Sequence, residues 1–139
     1  MSLYVLDTDT LTLLQDGHAA VTQRFNSHSL AEMAITVISV EEQLSGWYTK
    51  LRRAKKREEK VRVYQRLSNC TQALAGWQIL SFTEQAFLHY DNLKTLKLKI
   101  GRMDLSIAAI TLENGGTLVT RNLRDFQQIP NLPLENWAV

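Results

Sequence analysis

GRMDLSIAAITLENGGTLVTRNLRDF, residues 101–126, decides the fold. Met103 to Asn114 contains neither glycine nor proline. It sets Asp104, Ile107, Ala108 and Thr111 at i, i+3, i+4 and i+7, which is one face of a helix. Gly115 and Gly116 follow, where a helix stops. Thr117-Leu118-Val119-Thr120 then reads as a short buried strand that runs out into the polar stretch Arg121-Asn122-Leu123-Arg124-Asp125. The helix has an apolar face and leads directly into a buried strand. That pattern belongs to proteins in which helices and strands alternate.

The same alternation extends back toward the N-terminus. Residues 3–7 (LYVLD) form a short apolar run ending in an acid, which predicts a strand. Thr8 or Asp9 is expected to cap a helix through TLTLLQDG, with Gly17 closing it. A second helix is expected over 18–27, with Val21 and Phe25 one turn apart. Residues 34–38 (AITVI) predict a second strand. Ser39 is the expected cap of a long helix starting at VEEQLSGWYTKL, which pairs with another over about 58–74. Residues 77–82 predict a third strand, and Thr83 and Glu84 open a helix to about 97. Beyond residue 126, Pro130, Pro133 and Trp137 flank an expected edge strand near 134–137. With no hairpin signal between strands, the expected architecture is one α/β domain over 1–139. Its central parallel sheet has about four to five strands, flanked by helices. In such sheets the chemistry lies beyond the carboxyl ends of the strands.

Composition narrows the class. The 139 residues are 45% hydrophobic and 22% charged, which suits an ordinary folded core and not a disordered chain. One cysteine, Cys70, excludes an internal disulfide and a cysteine-based zinc site. The first residues carry no basic leader, and no apolar run approaches the ~18–20 residues of a membrane helix. A cytoplasmic protein with no membrane association is expected. The net charge of +2 conceals a strong asymmetry. Nine of the sixteen Lys and Arg fall in residues 50–66 with only two Glu, leaving seven against twelve acids elsewhere. A basic segment therefore sits on an acidic body, and such a segment is either a solvated helix face or a surface for phosphates.

The acids of that body fall at the strand ends. Asp7 ends the first strand; the bland role of helix cap fits Asp9 better. Glu42 lies about one turn into the helix after the second strand. Gly46 shares its face, whereas Glu41 points about 100° away. A helix-interior glycine costs about 1 kcal/mol relative to alanine, which a close backbone approach at Gly46 would explain. Asp104 opens its helix at the edge of the buried stripe. Thr120, Asn122 and Asp125 follow the last predicted central strand. Carboxylates brought together from distant parts of the chain repel unless a cation offsets them, and hard oxygen ligands suit Mg²⁺ or Mn²⁺. His18, His28 and His89 are scattered and offer no competing ligand set.

These motifs resemble a known family. YVLDTDTL is similar to the opening of PIN domains. TVISVEEQLSGW is similar to the second motif of VapC-type toxins, an acid four residues before a glycine. The stretch from Gly101 to Trp137 resembles the third motif and C-terminal part of that family. The resemblance covers essentially the whole chain. It implies a metal-dependent endoribonuclease, the toxin of a toxin–antitoxin pair. Asp7, Glu42 and Asp104 would hold Mg²⁺ or Mn²⁺, and Asn122 and Asp125 would complete the catalytic group. Thr8, Arg102, Thr120, Arg121 and Arg124, with the basic segment, would contact the RNA substrate. The resemblance also implies a cognate antitoxin protein and a homodimer, and Trp47, Tyr48 and Leu51 are candidates for a partner surface. One departure stands out: many PIN domains carry Asp where this chain has Asn122, which accepts a hydrogen bond but brings no charge. Two rivals remain open. DTDT after a strand also resembles the Asp-x-Asp signature of haloacid-dehalogenase phosphatases, although Leu11 departs from its pattern. A non-catalytic RNA-binding module on the same fold is the other.

Overall fold

The computed structural model describes residues 2–139. Among these, five short strands form one sheet: β1 (Tyr4–Leu6), β2 (Met33–Thr36), β3 (Ile79–Leu80), β4 (Thr117–Val119) and β5 (Leu134–Glu135). Their order is β3-β2-β1-β4-β5, and every neighbouring pair is parallel. Around them lie α1 (Thr8–Gln15), α2 (Ala19–Asn26), α3 (Val37–Arg53), α4 (Arg57–Ala75), α5 (Glu84–Thr95), α6 (Arg102–Glu113) and the single turn α7 (Leu123–Phe126). This is the expected α/β architecture, with a central parallel sheet between helices.

Both faces of the sheet are covered, which is why its central strands are mostly apolar and do not alternate with polar residues. On one face Val5, Ala34 and Leu118 pack with Ala86 and Leu93 of α5 and Ile107 and Ile110 of α6. On the other, Leu6, Met33, Ile35 and Val119 pack with Leu11 of α1, Val21 of α2, Leu74 of α4 and Trp137. Each buried Val, Leu, Ile or Met side chain among them contributes ~1.5–3 kcal/mol by leaving water. The most enclosed helix is α6, where every residue from Leu105 to Thr111 is buried. It stops at Gly115, whose φ of 63° is left-handed. At the next residue, Gly116, a Cβ would lie 3.1 Å from Val5 Cγ2 and 3.3 Å from the Leu3 carbonyl oxygen. The chain enters β4 through a tight gap, where a Cβ would require β1 to give by a few tenths of an ångström.

Several boundaries differ from expectation. β2 ends at Thr36, and Val37 and Ile38 already belong to α3. The β-branched run Ile-Thr-Val-Ile reads as strand, but the Thr36 hydroxyl accepts from Ser39 N–H at 3.3 Å and caps the helix three residues early. Asp7, and neither Thr8 nor Asp9, caps α1. β3 pairs over only two residues, and a single helical turn, α7, forms in the polar stretch after β4. The α3–α4 turn carries no glycine or proline because Ala54 and Lys56 make it in ordinary extended conformations. No helix among the described residues is long and apolar enough to cross a membrane.

Candidate active site

The sheet runs outward in one direction from β1 to β2 and β3, then restarts beside β1 with β4. Parallel sheets open a crevice at such a switch point, beyond the strand carboxyl ends. Asp7 stands there. Its N–H donates to the Val119 carbonyl at 3.0 Å, which sets it beside Thr120 on the same sheet edge. As the α1 cap, its Oδ1 accepts from the Thr10 N–H at 2.9 Å. The carboxyl is buried, with 5% exposure. Burial pushes its pKa upward. A hydrogen bond with the Thr120 hydroxyl and one with the Thr10 backbone oppose that, and the Asp9 charge adds to it.

Glu42 arrives from α3. Because that helix begins at Val37, Glu42 lies in its second turn and not the first. It is half-buried, whereas Glu41 is exposed, as the face argument required. The Thr8 hydroxyl donates to Glu42 Oε1 at 2.5 Å, and Ser39 Oγ lies 2.9 Å from Thr8 Oγ1. The single Thr8 proton is committed to the carboxylate, so Ser39 donates to Thr8. The buried Ser39, read from sequence as a cap, instead supports the residue that fixes Glu42.

Asp104 comes from the first turn of α6. Its pKa is pushed up to about 6, by burial first and then by the charges of Asp7, Glu42 and Asp125. Asp7, Glu42 and Asp104, from three separate elements, line one cavity of about 530 Å³ together with Thr8, Asp9, Thr12, Arg121 and Asn122. Four carboxylates and one guanidinium therefore face this space. The guanidinium is already engaged: Arg121 Nε and Nη2 donate to Asp9 Oδ2 and Oδ1 at 2.8 and 3.0 Å. The surplus negative charge and the all-oxygen donor set fit a hard divalent cation. Among the described residues, no three acids, histidines or cysteines close directly on one point. The carboxylates stand around the cavity.

The remaining expected residues divide. Thr120 is buried beside Asp7, and its hydroxyl accepts from Asn122 N–H at 2.9 Å. Asn122 lines the cavity and binds Asp125 twice. Its Oδ1 accepts from the Asp125 N–H at 3.4 Å, and its Nδ2 donates to Asp125 Oδ2 at 2.9 Å. Asp125 is not part of the lining but raises the Asp104 pKa through space. Arg102 and Arg124 are exposed on α6 and α7 and lie outside the lining, because each projects from an outer helix surface. Asp9 and Thr12 belong to the cavity although the sequence reading did not select them. Asp9 follows Asp7 by two residues in the first turn of α1, a spacing that carried the signal. His18 caps α2, His28 stacks on Trp137 and His89 pairs with Glu113; none lines the cavity.

No family model matches the chain. It is similar to "Ribonuclease VapC2" of Haemophilus influenzae, 29% identical over 99% of this chain and 100% of that one. It is also similar to "Ribonuclease VapC2" of Rickettsia felis, 41% identical over 68 residues, or 46% of this chain and 51% of the relative. Among solved structures, that of VapBC2 from Rickettsia felis, bound to a DNA fragment from its promoter, superposes with a TM-score of 0.73 and 29% identity. The superposition covers 97% of this chain and 98% of that one. The chain is thus similar over its full length to a protein named VapC ribonuclease, and over nearly its full length to a chain of a solved VapBC structure.

Proposed function

We propose that this protein is a metal-dependent endoribonuclease that cuts RNA phosphodiester bonds and is the toxin of a toxin–antitoxin pair. One observation carries the reading: Asp7, Glu42 and Asp104, from β1, α3 and α6, share one electronegative cavity at the switch point of a parallel sheet. The relatives named ribonuclease support it, and the solved VapBC complex supports an antitoxin protein as partner. A homodimer is part of the proposal. The phosphatase alternative loses support, because the full-length relatives are named as ribonucleases.

Asp7, Glu42 and Asp104 are the residues that would hold Mg²⁺ or Mn²⁺, directly or through its retained water. When bound, such an ion supplies Lewis-acid polarisation of the scissile phosphate and a water of lowered pKa. The protein's own part is positional and electrostatic. The Ser39–Thr8 pair holds the Glu42 carboxylate. The Thr10 amide and Thr120 hold Asp7. Asp104 retains a proton up to about pH 6 and gives it up when positive charge enters the cavity. Arg121 stands at the rim, ready to exchange Asp9 for a phosphate oxygen.

The test is cleavage of labelled RNA by the purified protein with Mg²⁺ or Mn²⁺, with EDTA as control, beside Asp7→Asn and Glu42→Gln. The expected result is cleavage by wild type only when the metal is present, and loss in both variants. Cleavage that survives EDTA, or that persists in both variants, overturns the proposal.

A further inference from the structure

The carboxylate cavity does not end at Glu42. Thr8, Thr12 and Glu42 also line a second cavity of about 690 Å³, which runs past Gly46 to Trp47, Lys50 and Arg66 on α3 and α4. That size lies within the ~300–1,000 Å³ of ligand clefts. A third cavity, of about 310 Å³, shares Trp47, Lys50 and Arg66 and continues to Arg53 and Arg62 near the α3–α4 turn. Together they make one trough, acidic at the sheet edge and basic at the far end. Lys50, Arg53, Arg62 and Arg66 are exposed, and none forms an ion pair among the described residues. Between the two ends stands the half-buried Trp47, with Lys50 Nζ 4.5 Å from its ring centroid.

Gly46 adds an independent observation. A Cβ there would meet nothing within 4 Å, so no packing inside the protein asks for glycine. The close approach expected from the sequence is not made by this chain. A glycine in mid-helix nevertheless costs about 1 kcal/mol relative to alanine. Its structural effect is to keep the trough shallow and open where it passes from Glu42 to Trp47.

We propose that the trough carries the single-stranded RNA flanking the cut. One base would stack on Trp47, and backbone phosphates would lie against Lys50, Arg53, Arg62 and Arg66. This inference rests on the nuclease reading above. An aromatic platform beside unpaired cations is the arrangement that binds single strands without sequence readout. Direct continuity with the carboxylates ties it to the reacting phosphate.

The test uses an Asp104→Asn background, in which RNA stays intact, and a short fluorescein-labelled single-stranded RNA of mixed sequence. Trp47→Ala is expected to weaken binding about tenfold to a hundredfold, the range of one lost base stack. Trp47→Phe should restore most of it. Lys50→Ala and Arg66→Ala should each reduce the slope of log K against log salt by about 0.7. Gly46→Leu should weaken binding about tenfold and melt no lower than its parent, because it removes a helix-interior glycine at a position where a Cβ meets nothing within 4 Å. RNA binding unchanged in both Trp47→Ala and Gly46→Leu overturns the inference. If wild type still cleaves RNA in that case, the nuclease reading stands and the trough serves a protein partner. If wild type does not cleave but Trp47 governs RNA binding, the trough assignment stands and the nuclease reading fails.

Discussion

Thr8 and Glu42, thirty-four residues apart, are joined by a 2.5 Å hydrogen bond from the Thr8 hydroxyl to Glu42 Oε1. The contact holds the first turn of α1 against the second turn of α3 and sets one of the four cavity carboxylates. Thr8→Val keeps the shape but removes the donor. It should lower RNA cleavage by ~10–100-fold, the usual consequence of losing a group that orients a metal-binding carboxylate. Thr8→Ser should retain activity. A metal titration of the cleavage rate checks the cause: the valine variant should need more Mg²⁺ or Mn²⁺, and an unchanged metal requirement would refute it.

Asp104 links stability to pH. Its carboxyl rises from 3.8 to about 6 in the folded, metal-free protein. The folded state therefore binds a proton more tightly than the unfolded chain across that window. The resulting stabilisation is complete below pH 3.8 and is lost as pH rises through about 6. Asp7 is shifted in the same direction, chiefly by burial. Asp104→Asn should thus raise the stability of the EDTA-treated protein near neutral pH, and not in acid. The gain is on the order of 1 kcal/mol once solvent screening of the half-buried carboxylate is allowed for. Thermal melts from about pH 4 to 8 in EDTA measure it, and a variant less stable than wild type at pH 7 would refute the account.

The Arg121–Asp9 pair is bidentate but half-exposed at both partners. Such pairs contribute ~0–1 kcal/mol, so Arg121→Ala should barely shift Tm. Its effect should fall on substrate: KM for RNA rises several-fold while kcat changes less, because the cation leaves a rim otherwise lined by acids. Asp9→Asn, which frees Arg121 and removes a negative charge, should lower KM. Steady-state kinetics at two salt concentrations tests both, and identical KM values across the three proteins would count against the assignment.

Gly116→Ala should be costly for a reason unrelated to the site. The added Cβ meets Val5 Cγ2 and the Leu3 carbonyl at 3.1 and 3.3 Å inside the sheet. Overpacking of this kind costs ~1–3 kcal/mol. The urea midpoint should drop accordingly, and wild-type stability would show that β1 moves aside more easily than its burial indicates.

The alternation of apolar runs and amphipathic stretches was enough to read the α/β class, because burial of both sheet faces demands continuous hydrophobic strands. The polar residues at the strand ends were legible for the same reason, since Asp7 and Asn122 each lie just beyond such a run. Boundaries were not legible where two local signals competed. At Ile35-Thr36-Val37-Ile38, β-branched residues favour extension while the Thr36 hydroxyl caps a helix, and tertiary packing decides between them. Helical geometry said that only one of Glu41 and Glu42 faces the site; the choice of Glu42 rested on a close approach at Gly46 that the chain does not make, although Glu42 does line the cavity. The support from Ser39 through Thr8 was not legible, because it crosses between two helices.

Local chemistry along the chain thus determined which elements form, which face of each is buried, and which acids sit near the strand ends. Sheet order was beyond its reach. Only the placement of β4 beside β1 brings Asp104 and Asn122 to Asp7 and pairs Arg121 with Asp9, and only the packing of α1 against α3 joins the acidic cavity to the basic α3–α4 trough. Those relations depend on distances between residues up to 112 positions apart. Such distances are set by how whole layers pack together, and no spacing within the chain encodes them.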